Sequence, residues 1–135
     1  MGKLPEEILA EKEHVEKVLT HLSDVLSKQP KTVIELSATA TFLHNFYNGI
    51  ENILKQLLKR KKISIPKGET WHKDLLNSAL SNSIISEGLL DKLYGYLSFR
   101  HYFVHGYGFM LEEEQLEELT KEVFDVWRCF LREIS

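Results

Sequence analysis

The sequence predicts an all-α fold, an antiparallel bundle of four long helices plus one short helix. Apolar residues recur at spacings of three and four along the long segments, as in amphipathic helices, and no stretch of useful length alternates as a strand does. The 135 residues include three prolines and seven glycines, mostly outside these segments, so long helices are permitted. This length predicts a single domain over residues 1–135, and short connections favour antiparallel neighbours.

The first predicted helix runs from Glu6 to about Lys28. Pro5 lies just before it, where proline suits a helix start, and Pro30 limits its end. The spacing of its apolar residues predicts one buried face. That face consists of Ile8, Val15, Val18, Leu19, Leu22, Val25 and Leu26.

The second predicted helix, from Thr32 to about Lys62, is the longest. Its apolar face is unusually broad, which predicts a central helix packed on more than one side. It ends in KQLLKRKK, which holds five cations. Cations stabilise the C-terminal end of a helix dipole, and they could equally form a phosphate-facing patch. The broad face consists of Leu36, Ala40, Phe42, Leu43, Phe46, Tyr47, Ile50, Ile53, Leu54 and Leu57.

Three further helices complete the bundle. A short one is predicted around residues 71–80. Ser86 is a candidate N-cap for the fourth helix, which continues into LSFRHYFVHGYGF and is predicted to end at Gly106 and Gly108. The last helix is predicted from about Glu112 to Glu133, with an apolar stripe on one side.

Composition and charge narrow the function classes. The net charge is −3, so nucleic-acid binding would need a local basic patch. No run approaches the ~18 apolar residues of a membrane span, and the N-terminus becomes acidic and amphipathic too early for a signal peptide. The single cysteine, Cys129, excludes an internal disulfide framework. We therefore expect a cytoplasmic protein that does not contact membranes.

The segment LSFRHYFVHGYGF, residues 97–109, concentrates cationic and proton-handling groups at a helix end. At ~100° per residue, His101 and His105 share a helical face, whereas Arg100 and His105 lie about 140° apart. Three interpretations are open. Two histidines four residues apart can bind zinc, although no third ligand is indicated. Alternatively, the polar side chains hydrogen-bond the free carbonyls at the helix end.

The third interpretation is phosphodiester chemistry on RNA. An imidazole such as that of His105 can accept the proton of a ribose 2′-hydroxyl or protonate the leaving oxygen. The guanidinium of Arg100 can hold a phosphate through two hydrogen bonds and stabilise its charge. Spacing alone does not decide among the three interpretations.

The residues RHYFVHGY resemble the Arg-x4-His-x-Tyr motif of the HepT-type HEPN ribonuclease toxins. These are small all-α proteins encoded beside a minimal nucleotidyltransferase antitoxin. The sequence FLHNFYNGIENILKQLLK, residues 42–59, resembles the long second helix of the family, and WHKDLL, residues 71–76, resembles the segment after it. With the matching length, the resemblance covers much of the chain and implies the HEPN fold. His101 departs from the polar residue, often asparagine, that usually follows the arginine.

The resemblance implies specific roles. Arg100 and His105 would cleave RNA in a composite site at a homodimer interface, without a metal or other cofactor. Attack by the 2′-hydroxyl would leave a cyclic phosphate. Apart from the resemblance, the overall acidity argues against tight nonspecific RNA binding, so tRNA or ribosome-associated RNA recognised by shape would be a reasonable target. Tyr107 matches the tyrosine that the antitoxin modifies with AMP, which would exclude RNA by charge and bulk.

Two residues are candidate supporting groups, His101 beside Arg100 and Glu51 in the second helix. Glu51 belongs to a polar set with Asn45, Asn48 and Asn52 inside an apolar pattern. This set could be a solvated edge, or the Glu51 carboxylate could orient Arg100 across the helix pair. His44 and His72 are interpreted as packing or capping residues.

A non-catalytic role is the chief alternative. In it, the chain is a HEPN adaptor or antitoxin module that binds a nucleotidyltransferase or a nucleotide. An adaptor has no chemical need for Arg100, His105 and Tyr107 together, so the intact motif favours the toxin.

Overall fold

The protein is described by a computed structural model that covers residues 4–28, 32–107 and 113–135. Those residues form five α-helices and a π-helical turn that continues the fourth, and they contain no strand. None of these helices is long and apolar enough to cross a bilayer. The all-α prediction of four long helices and one short helix is therefore confirmed. The elements are α1 (Glu6–Leu26), α2 (Val33–Arg60), α3 (Trp71–Ser81), α4 (Glu87–Tyr102), the π-turn (Phe103–Tyr107) and α5 (Glu113–Ile134).

The helix pair α1 and α2 is antiparallel. The rings of His21 and Phe42 stack with centroids 5.9 Å apart, and Asn52 donates a hydrogen bond to Glu11 over 3.4 Å. Residue numbers therefore increase along α1 in the direction in which they decrease along α2. The two helices approach closely because Gly49 has no side chain: a Cβ at that position would overlap the buried Val15.

The pair α4 and α5 is also antiparallel. At one end, the backbone N–H and the hydroxyl of Ser86 donate to the carboxylate of Glu133 over 2.6 and 2.7 Å. Ten residues further along α4, the Tyr96 hydroxyl donates to the Leu119 carbonyl over 2.7 Å. These contacts align the two helices over most of their length and position the end of α4.

Side-chain caps begin both α2 and α4. The Thr32 hydroxyl accepts from the Glu35 backbone N–H, and the Glu35 carboxylate accepts from the Thr32 N–H, which is a complete capping box. The Ser86 hydroxyl accepts from the Leu89 N–H over 3.2 Å. The predicted Ser86 cap is confirmed.

The end of α4 differs from the prediction. We expected Gly106 and Gly108 to end the helix, but α-helical hydrogen bonding ends at Tyr102 and a π-turn continues through Gly106 to Tyr107. The prediction for Gly106 is wrong because the chain widens its winding instead of terminating. Gly108 lies outside the described residues.

Helix α2 is the centre of the fold, as its broad apolar face predicts. It contacts α1, α3, α4 and α5, and residues from all of them join one buried core. Two of its buried residues are polar, Thr39 and Glu51. The apolar residues it buries are Ala40, Leu43, Phe46, Tyr47, Ile50, Ile53, Leu54 and Leu58.

Candidate functional site

A stripe of polar residues runs along the side of α2 that faces α3 and the end of α4. It consists of His44, Asn48, Glu51 and Lys55, and we call it the polar stripe. Spacings of four, three and four residues place these side chains above one another on one helical face. Each contacts a different residue on the neighbouring elements, so the stripe positions those residues from the α2 side.

Asn48 holds Arg100. The Arg100 Nε donates to the Asn48 Oδ1 over 3.3 Å, which joins α2 to the last turn of α4. Anchored through Nε, the guanidinium has two Nη groups that form a fork suited to an oxyanion such as phosphate. Arg100 is half-buried, so its charge is partly shielded from water.

Glu51 holds His72. The carboxylate is 3 % exposed, and both of its oxygens lie 2.8–2.9 Å from the His72 Nδ1. The hypothesis that Glu51 orients Arg100 is wrong, because the carboxylate bonds to His72 one turn further along α2 while Asn48 bonds to Arg100. Its alternative, a solvated edge, is wrong for Glu51 as well, since the carboxylate is buried.

Tyr47 lies beside this pair. Burial, followed by the charge of Glu51, raises the pKa of the Tyr47 phenol, so the phenol stays protonated at physiological pH. Its hydroxyl is buried beside the Glu51 carboxylate. The buried Glu51 carboxylate thus lies beside the Tyr47 phenol and the His72 imidazole.

His44 occupies the other end of the polar stripe. Its ring lies 5.1 Å from that of Phe103, centroid to centroid, and both ring nitrogens lie 3.5 Å from the Asn48 amide nitrogen. Burial, followed by the charge of Arg100, lowers the pKa of His44 below its ordinary 6.5. His44 is therefore neutral at pH 7 and packs beneath Arg100, as the packing interpretation proposes.

The π-turn presents His105. The rings of His101 and His105 lie 4.2 Å apart, centroid to centroid, and both residues are exposed. A π-turn advances fewer degrees per residue than an α-helix, so Arg100 and His105 are separated by less than the ~140° of a continuous α-helix. Among residues 4–28, 32–107 and 113–135, no group of three His, Cys, Asp or Glu side chains could hold a metal ion.

An open cleft of about 360 Å³ lies where α3, the loop before it and α4 meet. It brings Arg100 and His101 together with His72, and His105 adjoins it through the His101 ring. Lys73 adds a cation and Glu69 an anion to the rim. The cleft is lined by Glu69, Thr70, His72, Lys73, Leu97, Ser98, Arg100 and His101.

The predicted site residues are only partly brought together. Arg100 and His101 line the cleft, His105 lies beside it, and Glu51 lies behind it through His72. Tyr107 ends the π-turn, but its side chain lies outside what the structure describes. The placement of Arg100 beside two histidines of its own chain is the main feature of the site.

Sequence reasoning missed His72, which we interpreted as a packing or capping residue. One signal pointed to it: a carboxylate inside an apolar helix face needs a cationic or hydrogen-bonding partner. His72 and Glu51 are 21 positions apart, and the packing of α3 on α2 brings them together.

A family model described as HepT-like protein matches residues 38–135. The chain belongs to the HepT-like family. The match starts early in α2 and includes the polar stripe, α3, α4 and the π-turn, so every residue of the cleft lies within the HepT-like region. The resemblance to HepT-type HEPN proteins inferred from the motif is confirmed. No curated protein and no solved structure matches this HepT-like chain.

Proposed function

We propose that this HepT-like protein is an endoribonuclease toxin that cleaves RNA without a metal ion. The observation that carries the proposal is the anchored guanidinium of Arg100 in an open cleft, with imidazoles beside it. A group that holds a phosphate and a group that moves a proton are the two requirements of 2′-hydroxyl attack on a phosphodiester.

In this mechanism, the Arg100 fork binds the two non-bridging oxygens of the scissile phosphate. His105 accepts the proton of the ribose 2′-hydroxyl as the oxygen attacks phosphorus. The bond to the 5′-oxygen breaks, that oxygen takes up a proton from a second donor, and the products are a 2′,3′-cyclic phosphate and a free 5′-hydroxyl. Arg100 stabilises the negative charge that grows on the phosphate in the transition state.

A local set of cations supports an RNA substrate despite the net charge of −3. Lys73 lies on the rim of the cleft. Lys55 is the last residue of the polar stripe, and its Nζ lies 4.1 Å from the centre of the Trp71 ring. Lys59 follows Lys55 by one turn of α2. The cationic end of α2 therefore lies in line with the cleft, which favours the phosphate-facing alternative for these lysines.

The proposal includes a homodimer and a regulatory partner. In a homodimer, two exposed π-turns would face each other and form the composite site that the family implies. A nucleotidyltransferase antitoxin would add AMP to Tyr107, seven residues after Arg100. The added phosphate would compete with RNA for the guanidinium by charge and by volume.

RNA cleavage in EDTA tests the catalytic claim. Purified protein should cleave a mixed RNA substrate, and Arg100→Ala and His105→Asn should each lower the rate by about 100-fold or more. His14→Asn is a matched control, because His14 is an exposed histidine of α1. Absence of cleavage by the unsubstituted protein, or equal cleavage by His105→Asn, would remove the claim.

Intact-mass measurement tests the regulation. Co-expression with a nucleotidyltransferase antitoxin of the kind the family implies should raise the mass by whole AMP units and abolish RNA cleavage. Tyr107→Phe should remove the mass shift, whereas Tyr102→Phe, one turn earlier on α4, should keep it. A mass shift that persists in Tyr107→Phe would place the modification elsewhere.

Growth arrest separates this proposal from the adaptor alternative. Expression of the toxin alone should arrest growth, and Arg100→Ala should relieve the arrest. An adaptor would leave growth unaffected and would co-purify with its nucleotidyltransferase whether Arg100 is present or not.

A further inference from the structure

We propose that His72 is the general acid of the reaction, the group that protonates the departing 5′-oxygen. The inference rests on the proposed function and adds a catalytic residue from α3 to it. It assigns the second proton-handling histidine to the same protomer as Arg100 and His105. The other source would be a second copy of His105 across the dimer.

The first observation is the fixed orientation of the His72 ring. Its Nδ1 lies 2.8–2.9 Å from both oxygens of a carboxylate that is almost fully buried. A carboxylate only accepts hydrogen bonds, so Glu51 acts as the acceptor for the Nδ1–H of His72. A carboxylate behind an imidazole fixes which ring nitrogen faces the substrate, here Nε2.

The second observation is where His72 lies. It lines the same cleft as Arg100, from α3 rather than from α4, and its side chain is 19 % exposed. A phosphate bound by the Arg100 fork would therefore have an imidazole on the α3 side. His105 lies on the α4 side of the cleft, next to His101. In-line displacement needs the base and the acid on opposite sides of phosphorus, and this placement provides both.

The other histidines fit the acid role less well. His44 lies beneath Arg100 between Phe103 and Asn48 and is absent from the cleft lining. Burial and the charge of Arg100 lower the pKa of His44, so at pH 7 it is neutral and not the imidazolium that a general acid requires. His101 lines the cleft, but its ring lies against His105, on the side of the base.

The proton balance closes within one protomer. Neutral His105 takes the 2′-hydroxyl proton as the new bond from oxygen to phosphorus forms. The bond from phosphorus to the 5′-oxygen breaks, and that oxygen receives the proton from Nε2 of the doubly protonated His72 ring. His72 is left neutral with its remaining proton on Nδ1, which donates a hydrogen bond to Glu51. Exchange with water returns both histidines to their starting forms.

A substrate with a better leaving group tests the assignment. In RNA with sulfur in place of the scissile 5′-oxygen, the leaving group is a thiolate, whose conjugate acid has a pKa near ~8.5, and it departs without an acid. His72→Asn should cleave ordinary RNA about 100-fold more slowly than the unsubstituted protein. On the sulfur-containing RNA the same variant should be within about 3-fold of it, because general-acid catalysis no longer contributes.

Each variant is compared with itself on two substrates, so a lower folded fraction does not affect the ratio. Asparagine also keeps an N–H donor for Glu51, which limits any loss of stability. His105→Asn should stay slow on both substrates, since the 2′-hydroxyl still needs a base. Glu51→Gln should show a smaller form of the His72 pattern, because it alters only the positioning of the ring, and His14→Asn should be unaffected on both.

Two results would overturn the inference while leaving the nuclease intact. One is full cleavage of ordinary RNA by His72→Asn. The other is recovery on the sulfur-containing RNA by His105→Asn and not by His72→Asn, which would assign the acid to the second copy of His105. Failure of the unsubstituted protein to cleave either RNA would overturn the nuclease proposal, and this inference with it.

Discussion

Helix α2 has two sides that solve different problems. Against α1 it is mostly apolar and tightly packed, with Gly49 against Val15 so that the two backbones approach closely and one hydrogen bond, from Asn52 to Glu11, at the edge. Against α3 and the end of α4 it carries the polar stripe, whose members bond to His72 and Arg100. We call these the apolar seam and the polar seam. A buried carboxylate stabilises a fold less well than the aliphatic residues that could replace it, so the polar seam is best explained by function.

The two seams should also tolerate different kinds of substitution. The apolar seam should respond to volume and hardly to chemistry, because its contacts are shape contacts. The polar seam should respond to chemistry and hardly to volume. The following experiments change each seam in the way to which it should be sensitive and compare the result with the other seam.

The largest effect is expected from leaving Glu51 without His72. His72→Leu removes the partner of a buried carboxylate and should lower the free energy of unfolding by about 3–5 kcal/mol. The double variant Glu51→Leu with His72→Leu should return to within about 1 kcal/mol of the parent and still lack RNA cleavage. Urea unfolding of the four proteins of this cycle measures the two changes in stability, and the RNA assay in EDTA measures cleavage. A double variant as unstable as His72→Leu would mean that the pair is kept for stability.

Arg100→Lys should give the next largest effect, and on activity. Lysine keeps the charge but loses both the Nε–H that bonds to Asn48 and the planar fork. We expect RNA cleavage to fall by about 100-fold, with the free energy of unfolding within about 0.5 kcal/mol of the parent. Arg128→Lys makes the same change at an exposed position of α5 and should leave both quantities unchanged. Retention of half the activity by Arg100→Lys would show that a single charge suffices.

Gly49→Ala tests the apolar seam. The added Cβ would overlap the Cγ2 of Val15, a β-branched residue that is fully buried, so α1 must move away. The free energy of unfolding should fall by about 1–3 kcal/mol, while RNA cleavage per folded molecule should be unchanged. Removing the obstructing methyl groups with Val15→Ala should restore part of the loss.

Gly88→Ala is the matched control for Gly49. Gly88 lies in the exposed first turn of α4, and a Cβ there would meet nothing within 4 Å. This variant should be as stable as the parent or more stable by up to about 1 kcal/mol, through helix propensity alone. If both variants had the same stability, the close approach of α1 and α2 would not depend on Gly49.

The apolar seam was largely predictable from the sequence, and the polar seam was not. Apolar spacing and the Ser86 cap place the helix bounds within a few residues because both signals are local. The motif is local as well, so it singled out Arg100 and His105 as candidate site residues. The pairing of Glu51 with His72 depends on how α3 packs against α2, which spacing along the chain does not encode. The π-turn was likewise missed, because the glycine signal predicted that α4 would end there.

The smallest expected effect is a pH dependence that belongs to the polar seam alone. His44 faces Arg100 from α4, Glu51 and Asn45 from its own helix, and the Phe103 ring of the π-turn. Burial and then Arg100 lower the pKa of His44, and these effects exceed the opposing ones of Asn45 and Glu51. The unfolded chain therefore binds a proton at this residue before the folded chain does.

The sign follows from that order of protonation. The stability contributed by neutral His44 is fully present above its ordinary pKa of 6.5 and is lost as the pH falls through the lowered pKa of the folded state. Urea unfolding of the parent and of His44→Gln between pH 8 and pH 5 isolates this contribution, because carboxylate titrations common to both cancel in the difference. The advantage of the parent should shrink below pH 6.5. His14→Gln, at an exposed site of α1, should show no such trend. A constant difference across the range would mean that His44 is protonated with equal ease in the folded and unfolded states. The charge of Arg100 would then have no effect on the pKa of His44.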